Sequence, residues 1–205
     1  MKYKKFLVTG GLGFIGGNFL NILTKKYPRA KFLNIDKFTY AASKSLDKKL
    51  KKRKNYYYKK IDICNFYKLK NEFQKFKPDI VIHFAAESHV DNSIKQPKNF
   101  INTNIIGTYN LLKLLNKKIK IIHISTDEVF GEAKNSKFSE NSKYDPRSPY
   151  SATKASSDHL VRAWSSTYNI KYMIINSSNN FGPYQNKEKF IPVIINSILK
   201  KKKIP

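Results

Sequence analysis

The stretch VTGGLGFIGGNF at residues 8–19 decides the fold class of this chain. It places Gly10, Gly13 and Gly16 in a G-x-x-G-x-x-G frame directly after an apolar run that predicts a strand. In such a frame the first glycine permits a sharp turn, the second lets a pyrophosphate approach the backbone, and the third allows close helix packing. The N–H groups that open the following helix then face the anion. The stretch therefore predicts a strand, turn and helix suited to a dinucleotide.

An acidic residue at the end of the next apolar run supports this interpretation. Asp36 ends KFLNID, twenty residues after Gly16, where a carboxylate accepts hydrogen bonds from an adenine ribose. A carboxylate there repels the 2′-phosphate of NADP, so Asp36 favours NAD, although Lys37 follows immediately and leaves NADP open. Asp62 ends the third run and is interpreted either as a contact to the adenine or as a helix N-cap.

Strand and helix patterns alternate along the whole chain. Apolar runs typical of buried parallel strands lie between longer amphipathic segments, which predicts an α/β fold with a doubly wound, Rossmann-like parallel sheet and helices on both faces. The predicted strands cover residues 4–9, 31–36, 56–62, 79–85, 120–125 and 171–176. The predicted helices cover residues 14–26, 65–76, 98–117 and 150–168, with a last one starting near Lys187. Residues 41–55 predict a loop with a short surface helix, and residues 131–149 predict a surface loop.

The composition bounds the function classes. The chain has 205 residues and a formal net charge of +26, but its lysines are scattered in short patches, which favours a solvated basic surface over a nucleic-acid partner. Cys64 is the only cysteine, so an intrachain disulfide is excluded and a reducing compartment fits best. We find no signal-peptide pattern and no apolar run long enough to span a bilayer. We therefore expect a cytoplasmic chain without a membrane or nucleic-acid partner.

Two further motifs carry reactive groups. The run HISTDEVFG at residues 123–131 presents Thr126, Asp127 and Glu128 at the end of a predicted strand. Adjacent carboxylates repel each other there, an arrangement that acid–base chemistry uses more often than folding requires. Tyr150 and Lys154 in YSATK share one helix face, and a phenol acts as a base at neutral pH only if cations stabilise the phenolate. A solvated acidic pair at a helix start is the alternative for Asp127 and Glu128.

All these features follow the carboxyl ends of predicted strands, where ligands bind in open α/β sheets, so we expect them to converge. At this level of detail the chain resembles the extended short-chain dehydrogenase/reductase family, and within it the nucleotide-sugar 4,6-dehydratases. The blocks that carry the resemblance are DKFTYA (36–41), FAAESHVDNSI (84–94), NTNIIGTYNLL (102–112), ISTDEVFGE (124–132), SPYSATKASSDHLVRAW (148–164) and NSSNNFGPYQNKEKFIP (176–192).

The resemblance implies the NAD-dependent 4,6-dehydration of a nucleotide-diphosphate hexose, dTDP-glucose. Tyr150 would take the proton of the sugar 4-hydroxyl while hydride leaves C4 for NAD, and Thr126 would hydrogen-bond the reacting oxygen. Lys154 would hold the nicotinamide ribose and lower the pKa of Tyr150. Glu128 would then remove the C5 proton, and Asp127 would protonate the departing 6-hydroxyl. Return of the hydride to C6 would give a 4-keto-6-deoxy sugar nucleotide.

The resemblance also implies binding residues. Those for the cofactor are Gly10, Gly13, Phe14, Ile15, Gly16, Asp36, Lys37, Phe38, Thr39, Asp62, Ile63, Phe84, Ala85, Ala86, Ser88, Thr103, Tyr150, Lys154 and Asn180. Those for the substrate are Ser88, Thr126, Asn179 and Lys189. The four histidines, His83, His89, His123 and His159, do not form a metal-ligand spacing, so no metal site is expected.

The resemblance finally implies a domain division and a homodimer. Residues 1–186 form the NAD-binding Rossmann domain, and residues 187–205 start a substrate-binding region that the family continues beyond the equivalent of Pro205. We therefore expect most of that region to be missing. The helices predicted at 98–117 and 150–168 would form the dimer contact. Two alternatives stay open: a nucleotide-sugar 4-epimerase, which does not need the acid pair, and a non-catalytic NAD-binding module or remnant.

Overall fold

Six parallel strands form one sheet in the computed structural model, which describes residues 3–133 and 137–204. The strands are β1 (Lys5–Thr9), β2 (Lys31–Asp36), β3 (Tyr56–Lys60), β4 (Ile80–His83), β5 (Lys120–Thr126) and β6 (Tyr172–Ser177). They lie in the order β3-β2-β1-β4-β5-β6, and every neighbouring pair is parallel. The order reverses between β1 and β4, which opens a crevice at their carboxyl ends. The predicted doubly wound α/β fold is confirmed.

Helical segments connect the strands. They are α1 (Phe14–Lys26), α2 (Lys44–Lys51), α3 (Phe66–Phe76), α4 (Val90–Lys95), α5 (Pro97–Phe100), a π-helical segment (Ile101–Ile106), α6 (Gly107–Leu112), a 3₁₀ helix (Asp127–Phe130), α7 (Pro149–Tyr168) and α8 (Phe190–Leu199). α7 begins with a capping box in which the side chains of Ser148 and Ser151 each accept the backbone N–H of the other residue. Pro149 follows at its first turn, where a missing N–H costs no hydrogen bond.

The sheet buries an apolar cluster on each face. Phe6 and Val8 of β1 pack with residues of α1 and α2, whereas Leu7 between them packs with residues of α3, α6 and α7. This division follows from the alternation of side chains along a strand. Both faces are covered, which explains why the strands read as continuous apolar runs rather than as an alternating pattern.

The helix predicted over residues 98–117 differs from the one observed. Its backbone is α-helical only in α5 and α6, with the π-helical segment between them, and it ends at Leu112. After Leu112 the amides of Leu114 and Leu115 bond to carbonyls three residues back, so the chain tightens into turns. Inside the π-helical segment Asn104 is buried and its amide donates to Glu87 O and Thr153 Oγ1. α4 was not predicted.

Two regions have few core contacts. β6 lies at the edge of the sheet, and α8 contains no buried residue.

The predicted loop at 131–149 contains residues 134–136, which lie outside the described residues. Its described parts hold no helix or strand before α7. Within the described ranges, no helix combines the length and apolar character needed to cross a membrane.

Candidate active site

One cleft of about 350 Å³ opens at the carboxyl ends of the strands. Its walls come from the segments that follow all six strands, as expected for ligand sites in open α/β sheets. The site residues predicted from the sequence that line it are Gly10, Gly13, Phe14, Ile15, Gly16, Asp36, Lys37, Thr39, Asp62, Ile63, Phe84, Ala85, Ala86, Ser88, Thr103, Thr126, Glu128, Tyr150, Lys154, Asn179, Asn180 and Lys189. Phe38 and Asp127 are the two predicted residues outside this lining.

The three glycines of the first turn differ in their surroundings. Gly10 has φ +69°, and a Cβ there would lie 2.5 Å from the backbone nitrogen of Ala85. A Cβ on Gly16 would lie 2.5 Å from the carbonyl oxygen of Gly10, so α1 could not pack as closely on the turn. A Cβ on Gly13 would meet only that same oxygen, at 3.4 Å, and would otherwise project into open space. Gly10 and Gly16 are thus needed for the fold, whereas Gly13 keeps the cleft wall free of a side chain.

Asp36 ties the glycine turn to the end of β2. Its Oδ2 accepts the N–H of Leu12 at 2.9 Å, and its Oδ1 accepts the N–H of Phe38 at 2.7 Å. Burial raises the pKa of the Asp36 carboxyl, and the two backbone hydrogen bonds offset only part of that rise. Each oxygen keeps a lone pair for a ligand hydroxyl. Asp36 therefore shapes the turn in addition to facing the cleft.

Lys37 and Asp62 form an ion pair across the ends of β2 and β3. The Nζ of Lys37 lies 2.7 Å from Oδ2 of Asp62, while Oδ1 of Asp62 accepts the N–H of Cys64 at 2.9 Å. Burial raises the pKa of Asp62, but the hydrogen bonds from Lys37 and Cys64 together outweigh it, and the pKa lies below its usual range. The N-cap interpretation of Asp62 is wrong, because Asn65 caps α3 by accepting the N–H of Lys68.

Phe38 does not line the cleft. Its φ is +62°, and it packs against the core cluster that contains residues of α1 and α2. The strand-to-loop turn at this point is held by the hydrogen bond from its N–H to Asp36. A side-chain contact from Phe38 to a cofactor thus finds no support in the lining of the cleft.

The far end of the cleft brings together Thr126, Tyr150 and Lys154. Tyr150 and Lys154 are buried on one face of α7, and Tyr150 hydrogen-bonds the Thr126 side chain at the end of β5. The Nζ of Lys154 donates to the carbonyl of Ile124 at 2.6 Å. Burial lowers the pKa of Lys154 to about 8. The spacing YxxxK therefore delivers both groups to the same wall as Thr126.

The pKa of Tyr150 differs from the expectation drawn from the sequence. Burial raises this pKa and the nearby carboxylate of Glu128 raises it further, whereas the hydrogen bond with Thr126 opposes the rise. The ammonium group of Lys154 is held by the Ile124 carbonyl. Among the groups of the chain itself, the net effect stabilises the neutral phenol, so a lowered pKa for Tyr150 requires additional positive charge at the cleft.

The acid pair opens the 3₁₀ helix after β5, with one member on the cleft. Glu128 lines the cleft, and burial followed by the charge of Asp127 raises its pKa, while Lys189 opposes the rise. The hydroxyl of Thr126 accepts the N–H of Glu128 and donates to Oδ1 of Asp127, both at 3.3 Å. A carboxylate whose pKa lies closer to neutrality is a better proton acceptor. Glu128 thus has the position and environment of a general base, and the pair also starts a helix.

A buried polar network behind this wall was not predicted. Asp158 is 0% exposed, and its Oδ2 accepts hydrogen bonds from Ser125 Oγ at 2.7 Å and Tyr144 OH at 2.9 Å. Its Oδ1 lies 3.2 Å from Nε2 of His123, and its negative charge raises the pKa of Lys154. Asp158 follows Lys154 by four residues, which is the spacing of facing side chains on a helix and the signal that could have identified it.

Sequence reasoning also missed part of the cleft wall. The additional lining residues are Ile35, Tyr40, Ala41, Ala42, Ile61, Glu87, His89, Ile124, Ser125, Ser177, Ser178, Gln185 and Asn186. Most of them directly flank a residue that was predicted, so proximity along the chain was the available signal. In the ranges 3–133 and 137–204, no three His, Cys, Asp or Glu side chains are placed to hold a metal ion.

The sequence profile of the GDP-mannose 4,6 dehydratase family matches residues 7–204. The chain belongs to this family. One relative, described as dTDP-glucose 4,6-dehydratase of Haemophilus influenzae, is 45% identical to it over 212 residues. The alignment covers 97% of this chain and 62% of the relative. The chain therefore spans somewhat less than two thirds of the length of that relative.

Solved structures agree with this membership. The crystal structure of dTDP-glucose 4,6-dehydratase from Bacillus anthracis in complex with NAD has a TM-score of 0.89 and 38% identity, and the match covers 98% of this chain and 63% of that one. UDP-glucuronic acid 4-epimerase from Bacillus cereus in complex with UDP-glucuronic acid and NAD has a TM-score of 0.90 and 31% identity, with 98% and 64% covered. This family member is thus an extended short-chain dehydrogenase/reductase, as expected from its motifs.

Proposed function

We propose that this chain contributes the NAD-binding half and the proton-transfer groups of a dTDP-glucose 4,6-dehydratase. The observation that carries the proposal is that Thr126, Glu128, Tyr150 and Lys154 line the same cleft as the glycine turn after β1 and Asp36 after β2. This arrangement pairs a dinucleotide site with two proton-transfer groups, Glu128 and Tyr150, a hydrogen-bonding hydroxyl and a buried ammonium. The dehydratase name of the Haemophilus influenzae relative supports the same assignment.

The residues present fit NAD. Gly13 leaves the wall open at the point where a pyrophosphate would meet the amino end of α1, and Asp36 retains acceptor capacity for the adenine ribose. Lys37 is engaged by Asp62, which leaves the Asp36 carboxylate free to repel a 2′-phosphate. NAD bound in this cleft would supply the acceptor for hydride from C4 and return the hydride to C6. Its nicotinamide charge would also favour the Tyr150 phenolate.

The chain's own residues would move the protons. Tyr150 takes the proton of the 4-hydroxyl, and Thr126 holds the reacting oxygen by a hydrogen bond. Glu128 removes the C5 proton, which the 4-ketone makes acidic. Asp127 lies outside the cleft lining but is hydrogen-bonded to Thr126 on its wall, and it would protonate the departing 6-hydroxyl. Lys154 positions the nicotinamide ribose and keeps a positive charge near the phenol. The half-buried position of Glu128 supports its role as the base, because burial raises its pKa toward neutrality.

A nucleotide-sugar 4-epimerase is the second candidate, because the Bacillus cereus epimerase matches the fold with a TM-score of 0.90. Epimerisation uses Thr126, Tyr150 and Lys154 but needs no base at C5. The presence of Glu128 on the cleft wall favours elimination of water over simple inversion at C4.

Residues 187–205 and the dimer belong to the same proposal. α8 carries exposed apolar side chains, among them Phe190 and Ile195, and Lys189 just before it lines the cleft, which supports the start of a substrate-binding region. Ser88, Asn179 and Lys189 would contact the nucleotide sugar. Exposed Ile106 in the π-helical segment and Tyr109 in α6 support a homodimer contact through the helices predicted at 98–117 and 150–168. Light scattering of the purified chain measures it.

Incubation of the chain with NAD and dTDP-glucose tests the proposal through the alkali-induced absorbance of a 4-keto sugar. Glu128→Gln is expected to retain slow C4 oxidation, seen as NADH absorbance, but to abolish water loss. Glu132→Gln is the matched control, because Glu132 is exposed and lies outside the cleft lining. Unchanged dehydration by Glu128→Gln would overturn the assignment of the base. A C4-inverted product without water loss would identify an epimerase, and NAD binding without any turnover would identify a non-catalytic module.

A further inference from the structure

The fold gathers lysines that are scattered in the sequence. In a parallel sheet the first residues of all strands lie at one edge, opposite the cleft. Each strand either starts with a lysine or has a lysine at most three residues before its first residue. In the order of the strands across the sheet, from β3 to β6, these are Lys54, Lys31, Lys5, Lys77, Lys120 and Lys171. At a strand spacing of about 4.8 Å, the six lysines form a row roughly 24 Å long. We call this row the amino-terminal edge.

The helix ends add further positive charge beside this row. α1, α2 and α3 all carry lysines in their last turns, and those turns lead back to the amino-terminal edge. The exposed basic residues just before the strands are Lys25, Lys26, Arg29, Lys52, Lys117 and Lys118. Three carboxylates lie among these lysines. Asp79 accepts the backbone N–H groups of Lys4 and Lys5. Asp47 pairs with Lys51 at 2.7 Å, and Glu72 lies 3.6 Å from Lys59 and 3.9 Å from Lys75. Most of the ammonium groups therefore face solvent.

The opposite edge has a different charge pattern. Asp36, Asp62, Glu87, Asp127 and Glu128 all end a strand or follow one at its carboxyl end. These five acids lie near the cleft, whereas few acids lie beside the lysines of the amino-terminal edge. A surface of one sign attracts and orients polyanions over a distance of about one Debye length, roughly 8–10 Å.

A groove with an aromatic wall lies within the amino-terminal edge. Lys5, Lys31 and Lys75 line it together with Tyr57 and Phe76, and its volume is about 260 Å³. Tyr57 is 43% exposed. Cationic grooves with accessible rings bind single-stranded nucleic acids, because the ammonium groups contact phosphates while the rings stack on bases of any sequence. A membrane surface would contact the lysines but would make no use of a ring recessed in a groove.

We propose that the amino-terminal edge binds single-stranded nucleic acid, RNA or DNA, through its phosphate backbone, with Tyr57 stacking on a base. This site is separate from the cleft and does not depend on the proposed enzymatic function. It reverses the expectation drawn from the scattered lysines of the sequence, because their convergence exists only in the folded chain. Binding of this kind tolerates any sequence and weakens steeply with salt.

Fluorescence anisotropy with a labelled mixed-sequence 20-nucleotide strand tests the proposal over a range of salt concentrations. The edge variant replaces Lys31, Lys54, Lys77 and Lys118 with glutamate; all four side chains are exposed. The control variant replaces the exposed lysines Lys44, Lys98, Lys143 and Lys187 with glutamate; these follow the carboxyl ends of strands, so both variants change the net charge equally. Circular dichroism checks that both remain folded.

We expect the edge variant to bind the oligonucleotide at least tenfold more weakly than the control variant. Its plot of log affinity against log salt should also become shallower, by about 0.7 for each phosphate that the variant no longer neutralises. Tyr57→Ala is expected to weaken the binding of a single strand more than that of a duplex. Equal weakening in both lysine variants would show a general charge effect and overturn the proposal. Displacement by NAD, or binding to phosphatidylglycerol vesicles but not to the oligonucleotide, would overturn it as well.

Discussion

Replacing Gly13 with alanine separates the role of this glycine in ligand binding from a role in folding. Gly13 is the N-cap of α1 with φ −71°, a conformation that alanine adopts without strain. Its new Cβ would contact only the carbonyl oxygen of Gly10, at an ordinary distance of 3.4 Å. Alanine is a poorer N-cap than glycine by some tenths of a kcal/mol, while the loss of freedom in the unfolded chain contributes about 0.4–1 kcal/mol in the opposite direction.

These opposing effects leave the free energy of unfolding of Gly13→Ala within about 1 kcal/mol of the parent, or roughly 4 °C in Tm for a chain of this size. The methyl group nevertheless occupies the space where a pyrophosphate would approach the backbone. We expect NAD affinity to fall by at least about tenfold, which corresponds to roughly 1.4 kcal/mol of binding free energy. Isothermal titration calorimetry and a thermal melt measure the two quantities.

Gly16→Ala is the matched comparison. Its Cβ would lie 2.5 Å from a backbone oxygen that cannot move without shifting the turn. Overpacking of this kind costs about 1–3 kcal/mol, so Tm should fall by roughly 2–12 °C. The reasoning is refuted if Gly13→Ala binds NAD as tightly as the parent. It is equally refuted if Gly13→Ala loses as much stability as Gly16→Ala.

Two further predictions concern charge at the cleft. The proposed dehydratase activity should fall as the pH rises past about 8, because Lys154 then loses its proton. Asp158→Asn should move this fall to lower pH, because the charge of Asp158 raises the pKa of Lys154. An unchanged pH profile of the variant would contradict this. Asp62→Ala should release Lys37 toward a 2′-phosphate and improve the affinity for NADP relative to NAD severalfold, measured by titration with both dinucleotides. An unchanged ratio of affinities would show that the Lys37–Asp62 pair does not contribute to the choice of cofactor.

The sequence predicted the ends of a helix or strand correctly where residues inside or next to that element mark where it starts and stops. The predicted bounds of α1, residues 14–26, are those observed, because the glycine turn sets its start and the basic residues Lys25 and Lys26 mark its last turn. β2 was likewise predicted with its observed ends, because Asp36 stops an apolar run. The π-helical segment had no such signal in the sequence. Its buried Asn104 hydrogen-bonds Glu87 and Thr153, which lie in other segments and are not identified by local spacing.

The site divides in the same way. The motif spacings placed Tyr150 with Lys154 and Thr126 with Glu128 because each pair lies within one short segment. Asp158 was missed because its partners come from β5, the segment before α7 and β6, and sequence distance does not show that they meet behind one wall. The sequence also could not predict the direction in which the pKa of Tyr150 shifts, because the rise follows from burial in the folded chain.

The order of apolar runs, the glycine turn and the residues at the strand ends are properties of the sequence, and they determined the α/β fold and the chemistry available in the cleft. Tertiary structure alone decided which charges meet. It directed Lys37 to Asp62, set Asp158 behind Lys154 and aligned the six lysines of the amino-terminal edge. The physical reason is that covalent spacing controls contacts over one or two helical turns, whereas electrostatic contacts act through space between strands that are far apart in the chain.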